Sequence, residues 1–236
     1  MTNLKNLIVI SVLLLFNLKL SAQTLTSPLR IGVKFGFNSS NATVNDAANT
    51  DSRNGYHIGA IFEYSLSERF LVQSGLYFST KGSKVNQLNK SQYIPSAIDD
   101  THTFNQSYVT LPVYGAYKLN VTNQFKIIFG VGPYFGYGIG GKTTQKLNSG
   151  SWSEGITQRE WNTFGNGVYD QSRDWLHGTT LKRFDIGVGA NIDFEYHKFI
   201  LGVGYEKGLR NIAVNENASG LKYKNNNLQV SFGYRL

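Results

Sequence analysis

The sequence predicts an all-β chain that closes into an eight-stranded antiparallel, up-and-down transmembrane β-barrel behind a cleaved signal peptide. Three observations carry this. Apolar residues recur at every second position through most of the chain, the period of a strand with one apolar face. The connections between these stretches alternate strictly between long and short. The first residues carry an export signal. Composition agrees: 236 residues with 14% aromatics, 25 Gly and only 16% charged residues suit a turn-rich β chain and not a disordered one. Cysteine is absent, which excludes a disulfide framework, a thiol nucleophile, a cysteine zinc site and an N-terminal lipidated cysteine.

The leader comes first. Lys5 supplies a positive start, Leu7 to Phe16 is a continuous apolar core, and Leu20-Ser21-Ala22 offers a small residue before Gln23. Residues 1–22 are therefore read as a signal peptide and 23–236 as the barrel domain. A helical anchor needs about 20 apolar residues, and Asn17 and Lys19 interrupt this run. Eight strands follow, at 30–38, 56–66, 70–81, 107–119, 124–140, 180–196, 199–208 and 226–236. The fifth shows the pattern: Phe125, Ile127, Phe129, Val131, Pro133, Phe135, Tyr137 and Ile139 line one face, and Lys126, Ile128, Gly130, Gly132, Tyr134, Gly136 and Gly138 the other. Glycine at that density would cost a helix about 1 kcal/mol per residue. The sixth and eighth strands repeat the pattern with Phe184 to Tyr196 and Leu228 to Leu236. Long connections at 39–55, 82–106, 141–179 and 209–225 alternate with short ones at Ser67–Arg69, Asn120–Asn123 and His197–Lys198. Short links make hairpins, so all long loops leave one end of a sheet that closure relieves of raw edges.

Periodicity alone does not say which face is inside. A secreted lipocalin-like barrel has apolar residues within; a membrane barrel reverses this. Four features favour the membrane barrel. The non-apolar face is rich in Gly, which fits a narrow lumen. Aromatics stand near strand ends on the apolar face, among them Phe37, Tyr56, Phe78, Tyr137, Phe184 and Tyr205, with Tyr64, Phe70, Tyr117, Phe125, Tyr196 and Tyr234 toward the other end. Such placement suits interfacial girdles. The loops are asymmetric, and the chain is exported. The lumen should then hold Tyr77, Tyr114 and Tyr134 and a charge network of Lys34, Glu63, Lys118, Lys126, Asp193, Glu195 and Arg235. Lys126 should pair with Asp193 or Glu195, and Arg235 should reach Glu63 across the first strand. A lumen this full implies no open channel.

Several strands also carry family motifs. Arg30 to Asn38 (RIGVKFGFN), Gln73 to Gly82, Tyr108 to Val113, Gly130 to Tyr134 and the closing Leu228 to Leu236 resemble the PorT-like small outer-membrane β-barrel family of Bacteroidetes-type bacteria. The resemblance covers nearly all of the mature chain and implies an outer-membrane barrel with no catalytic signature. The family often has an acidic residue where Thr110 stands. One branch takes part in protein secretion across the outer membrane, and no motif here singles out that branch. The final strand also resembles the signal read by the barrel insertion machinery, with Leu236 in place of the usual terminal Phe.

Candidate chemistry is sparse. His57 should point into the lumen, His102 and His177 fall in long loops and His197 in a short turn. Asp185 could stand near His57, but no serine is evident at that level: Ser65 and Ser79 lie at opposite strand ends and Ser231 belongs to the distant last strand. Asp99, Asp100, Asp170 and Asp174 are too sparse for a calcium cage. The Gly runs near Gly130 and Gly136 lie inside a strand and cannot form a phosphate loop. Basic residues are scattered and make no nucleic-acid stripe. Residues 141–179 hold every Trp (Trp152, Trp161, Trp175) together with Phe164 and Tyr169. They are either an extracellular binding loop or a set of rings that cap the barrel mouth.

These observations imply a non-enzymatic outer-membrane protein of a Gram-negative bacterium, with both termini periplasmic and no cofactor or metal. Its role would be structural or interactive, through a closed lumen and long extracellular loops. A subunit of a larger secretion or envelope assembly and a lipid-modifying enzyme are the alternatives. The implied partners are outer-membrane lipid and lipopolysaccharide, the insertion machinery, and a protein or glycan at the loops.

Overall fold

A computed structural model describes residues 28–44, 49–86, 100–148, 155, 157–165, 180–214 and 222–236. Residues 1–22, expected to be a signal peptide, and Trp152, Tyr169, Trp175, His177, Asp99, Asp170 and Asp174 lie outside the described residues. Among the described residues there are ten strands: β1 Leu29–Val44, β2 Asn49–Ser65, β3 Phe70–Asn86, β4 Asp100–Asn120, β5 Phe125–Gly140, β6 Lys142–Leu147, β7 Gln158–Asn162, β8 Phe184–Tyr196, β9 Phe199–Gly208 and β10 Tyr223–Arg235. Eight of them run β3-β2-β1-β10-β9-β8-β5-β4, and β3 pairs with β4 to close the barrel. All eight ladders are antiparallel. No helix among the described residues is long and apolar enough to cross a membrane.

The eight expected strands exist, but five are longer at the loop end. β1 continues to Val44, β2 begins at Asn49, β3 reaches Asn86, β4 begins at Asp100 and β10 begins at Tyr223. The added segments are rich in Ser, Thr and Asn on both faces, so no apolar alternation marks them. The stretch Thr180–Arg183, expected to open the sixth strand, lies outside β8. Residues 141–179 are not one loop, because β6 and β7 form a hairpin within them. Gly141 makes this hairpin possible. Its φ is +147°, and a Cβ there would sit 2.0 Å from the Asn105 carbonyl oxygen. The chain breaks from β5 at that point, and β6 then pairs with the upper end of β4, Asp100 to Phe104.

The short turns are locally determined. Ser67 Oγ accepts the N–H groups of Arg69 and Phe70, and Thr122 Oγ1 accepts those of Gln124 and Phe125. His197, at φ 52°, occupies the left-handed position of the two-residue turn between Tyr196 and Phe199.

Apolar side chains face outward. Phe37 is 78% exposed while its neighbour Asn38 is 2% exposed, and the same alternation runs through β5, β8, β9 and β10. Aromatic neighbours meet across strands at both ends, as with Tyr56 and Phe78 (5.9 Å), Phe70 and Tyr117 (5.5 Å), and Phe199 and Tyr234 (5.3 Å). This outer wall has the two aromatic girdles of a membrane barrel.

Candidate functional site

The alternation that turns apolar residues outward leaves the polar set to fill the lumen, in layers that begin at the short-turn end. Buried charge is costly unless paired, and the first layer meets that demand. Arg30 Nη2 lies 2.7 Å from Glu63 Oε2 and its Nη1 lies 3.1 Å from Glu195 Oε1. Arg235 Nε donates to Glu195 Oε2 at 2.6 Å, and its Nη2 donates to Glu63 Oε1. Lys126 adds a contact of 3.0 Å to Glu195. Two arginines from β1 and β10 thus bridge the same two glutamates of β2 and β8. Arg30 is the member that sequence reasoning left out. It shares parity with Lys34 on the first strand, and that signal sufficed to place it inward. Lys118 lies opposite buried Ile128 on the lumen face, with no carboxylate in ion-pair contact among the described residues.

Gln73 links this layer to the next. Its Nε2 donates to Glu63 at 2.9 Å and to Asp193 at 3.3 Å. Asp193 in turn pairs with Lys34 at 2.6 Å and accepts from Asn191 at 2.9 Å. Above it lies a cavity of about 50 Å³ bordered by Lys34, His57, Tyr77, Thr110, Tyr114 and Glu206, room for a few water molecules.

His57 and Ser231 stand at this level, and the adjacency corrects the sequence reading. Closure sets β10 beside β1, so Ser231 pairs with Gly36 and Gly36 with His57. Gly36 has no side chain to separate them; a Cβ there would lie 2.8 Å from His57 Cε1 and 2.0 Å from the Val230 carbonyl oxygen. His57 Nδ1 is 2.7 Å from Asn38 Oδ1, and Nε2 is 3.0 Å from Ser231 Oγ. The amide oxygen of Asn38 accepts the Nδ1 proton, so Nε2 accepts from the serine hydroxyl. This is the order of nucleophile, base and orienting group. Ser231 lies within the β1–β10 and β9–β10 ladders, whose amides are directed along the sheet, so among the described residues no backbone pair faces Ser231 as an oxyanion hole. Asn38 is further tied through Nδ2 to Ser79 and to the carbonyls of Tyr56 and Thr80. Asp185 does not join His57. It accepts from Asn225 at 3.0 Å and Tyr134 at 3.3 Å.

Toward the loop end the chemistry changes. Lys81 pairs with Glu206 at 2.5 Å and lies 4.7 Å from the centre of the Tyr134 ring, a second stabilising contact for its charge. Tyr223 OH meets Ser83 Oγ at 2.7 Å and Gln106 Nε2 at 2.8 Å. Beyond these, Ala42, Val85, Phe104, Tyr108, Phe164, Leu181, Ile212 and Ala213 pack with Tyr223 into one apolar cluster inside the mouth. Phe164 reaches it edge-on to Tyr108 at 5.4 Å. It is held by single bridges from Phe164 to Leu181 and from Leu181 to Ala213. Trp161, on β7, meets the ring of His102 at 6.0 Å. His102, expected in a loop, is buried in β4 and stacked on Phe104.

A barrel with outward apolar alternation, paired aromatic girdles, a packed polar lumen and one-sided long loops agrees with what the family model recognises in residues 21–214. The chain belongs to the outer membrane protein β-barrel domain family. Its place is the outer membrane of a Gram-negative bacterium. Similar solved structures include Ail, the attachment invasion locus protein of Yersinia pestis, at 10% identity and TM-score 0.46, over 89% of this chain and 100% of that one. Neisserial surface protein A matches at 10% identity and TM-score 0.44, over 87% and 97% of the two chains. OprG from Pseudomonas aeruginosa matches at 14% identity and TM-score 0.41, over 89% and 96%. No curated protein matches the chain in sequence.

Proposed function

We propose that the protein is a sealed outer-membrane barrel that works through its loop end as a structural or interaction protein. The observation that carries this is the double closure of the lumen. A salt-bridged layer fills one end and an apolar cluster the other. Above the wall, β3, β4, β6 and β7 continue as a sheet past the level at which β5 leaves β4. Such an extension contributes nothing to crossing the bilayer and offers surface to a partner. In this reading both termini are periplasmic, the loop end faces the cell exterior, and residues 141–179 supply the binding surface. The strand motifs from Arg30, Gln73, Tyr108 and Gly130 support a place among the PorT-like members of the family. His57 serves as a cross-strand link and not as a catalytic base. Protease added to intact cells should cut within 141–179 and spare the turn at Ser67–Arg69. Cutting at the short turns would invert the orientation. Co-purification in mild detergent tests the assembly-subunit reading, in which a stoichiometric partner should remain bound.

A further inference from the structure

The lowest layer of the lumen carries more positive charge than its carboxylates cancel. Four cations, Arg30, Lys118, Lys126 and Arg235, stand around two carboxylates, Glu63 and Glu195. The next layer gives no relief, because Asp193 is taken by Lys34 at 2.6 Å. Glu206 and Asp185 belong to levels nearer the loop end, where Glu206 pairs with Lys81 and Asp185 accepts from Asn225 and Tyr134. Two positive charges are therefore left over at the short-turn end. The turns at that end do not cancel them: Arg69 and Lys198 are both exposed there, against the single carboxylate of Glu68.

The excess has a definite place. β3, β4 and β5 turn Leu71, Ala116 and Ile128 inward as a small buried apolar cluster. Lys118 lies opposite Ile128, and Lys126 lies opposite Asn120, two residues further along β4. Both lysines thus border apolar surface, where an ammonium group is poorly hydrated and a counter-ion is held more strongly. Among the described residues Lys118 has neither an ion pair nor a side-chain hydrogen bond. Arg235 supplies the second sign of a missing partner. Its Nε and Nη2 serve Glu195 and Glu63, and its Nη1 is buried with no acceptor. The layer is nonetheless open below, since the side chains of Arg30 and Lys126 remain 25% and 27% exposed.

We propose that the short-turn mouth of the lumen is a binding site for a water-soluble, doubly charged oxyanion of the phosphate class, held by Lys118, Lys126 and Arg30. Buried charges and donors call for partners, and a dianion neutralises both surplus charges where a carboxylate would leave one. Lysine offers phosphate a point charge, and arginine a fork of donors. Lipid phosphates surround the outer wall and do not lie over the lumen mouth, so the occupant is inorganic phosphate or a phosphomonoester. The site opens to the periplasm in the orientation proposed above, but the binding itself does not depend on that orientation.

The test titrates the full mature protein, folded in detergent, by calorimetry at constant ionic strength. The probes are inorganic phosphate, glycerol phosphate and acetate. The wild type should bind phosphate or its monoester roughly tenfold more tightly than acetate. The variant Lys118→Gln/Lys126→Gln should lose about a factor of ten in that affinity. Arg69→Gln/Lys198→Gln removes as many charges from the exposed turns and should bind as the wild type does. A ligand that binds only the folded barrel stabilises it, so phosphate should raise the urea midpoint of the wild type and of the turn variant but not of the lumen variant. Each variant's fold is checked by its heat-modifiable mobility in gels. Tighter binding of the free ion or of the monoester supports the site in either case and names the source. No binding, acetate bound as tightly, or equal loss in both double variants would overturn it. Protease cleavage of intact cells at the short turns would move the site to the cell surface and leave the binding result standing.

Discussion

Glu195 accepts from Arg30, Lys126 and Arg235, and Glu63 accepts from Arg30, Arg235 and Gln73. Removing either carboxylate leaves guanidinium groups in a lumen that cannot solvate them. Glu195→Ala should therefore cost about 3–5 kcal/mol, read as a lower urea midpoint for the barrel in lipid vesicles. Lys126→Ala should cost less, about 0–1 kcal/mol, because its side chain remains 27% exposed and surface pairs are weak. Equal losses for the two would mean that water fills this layer. A second expectation concerns His57. Ser231 should resist a fluorophosphonate probe, because its hydroxyl serves a hydrogen-bond chain without an oxyanion hole. Stable labelling at Ser231 that disappears in His57→Ala would make it a nucleophile. Period-two parity made most of the charge layer legible in the sequence, including the facing of Lys126, Asp193, Glu195 and Arg235. Parity did not reveal that Ser231 and His57 meet, since that contact depends on closure between the first and last strands and on an absent side chain at Gly36.

At the scale of elements, closure depends on one narrow seam. β1 and β10 are the ends of the barrel domain and meet over Gly32 to Val44. At Gly36 any Cβ would fall 2.0 Å from the Val230 carbonyl oxygen and 2.8 Å from Ser231 Cα. Backbone cannot yield as a flexible side chain does, so Gly36→Val should prevent closure. The folded band in unheated gels should vanish, while Gly140→Ala, with nothing within 4 Å of the added atom, should retain it. The β6–β7 hairpin should behave oppositely. It pairs with β4 alone among the barrel strands, so deletion of 142–162 should leave an inserted barrel. These strands were invisible to the sequence pattern for a physical reason. Apolar alternation records one face in lipid, and Lys142–Leu147 and Gln158–Asn162 stand where both faces meet water or polar neighbours. The same loss of signal hid the upper ends of β1, β2, β3, β4 and β10.

For the whole molecule, the two seals are chemically different and fail under different changes. The lower seal is ionic and consists of side chains that bridge five strands. The upper seal is apolar and depends on Phe164, Leu181 and Ile212, which connecting segments deliver into the mouth. Between them the lumen holds a cavity of about 50 Å³, far below an ion pathway. Purified protein in planar bilayers should therefore show no stable conductance. Phe164→Ala should weaken the upper seal by about 3–5 kcal/mol and still give no channel, because the arginine–glutamate layer continues to block the lumen. Paired removal of Glu63 and Arg235 should likewise give none while the apolar cluster stands. Only the combination should produce small conductance steps. Reproducible steps from the wild type would refute the sealed-barrel reading outright. Steps from Phe164→Ala alone would place the whole barrier in the apolar cap and show that ions pass the salt-bridged layer.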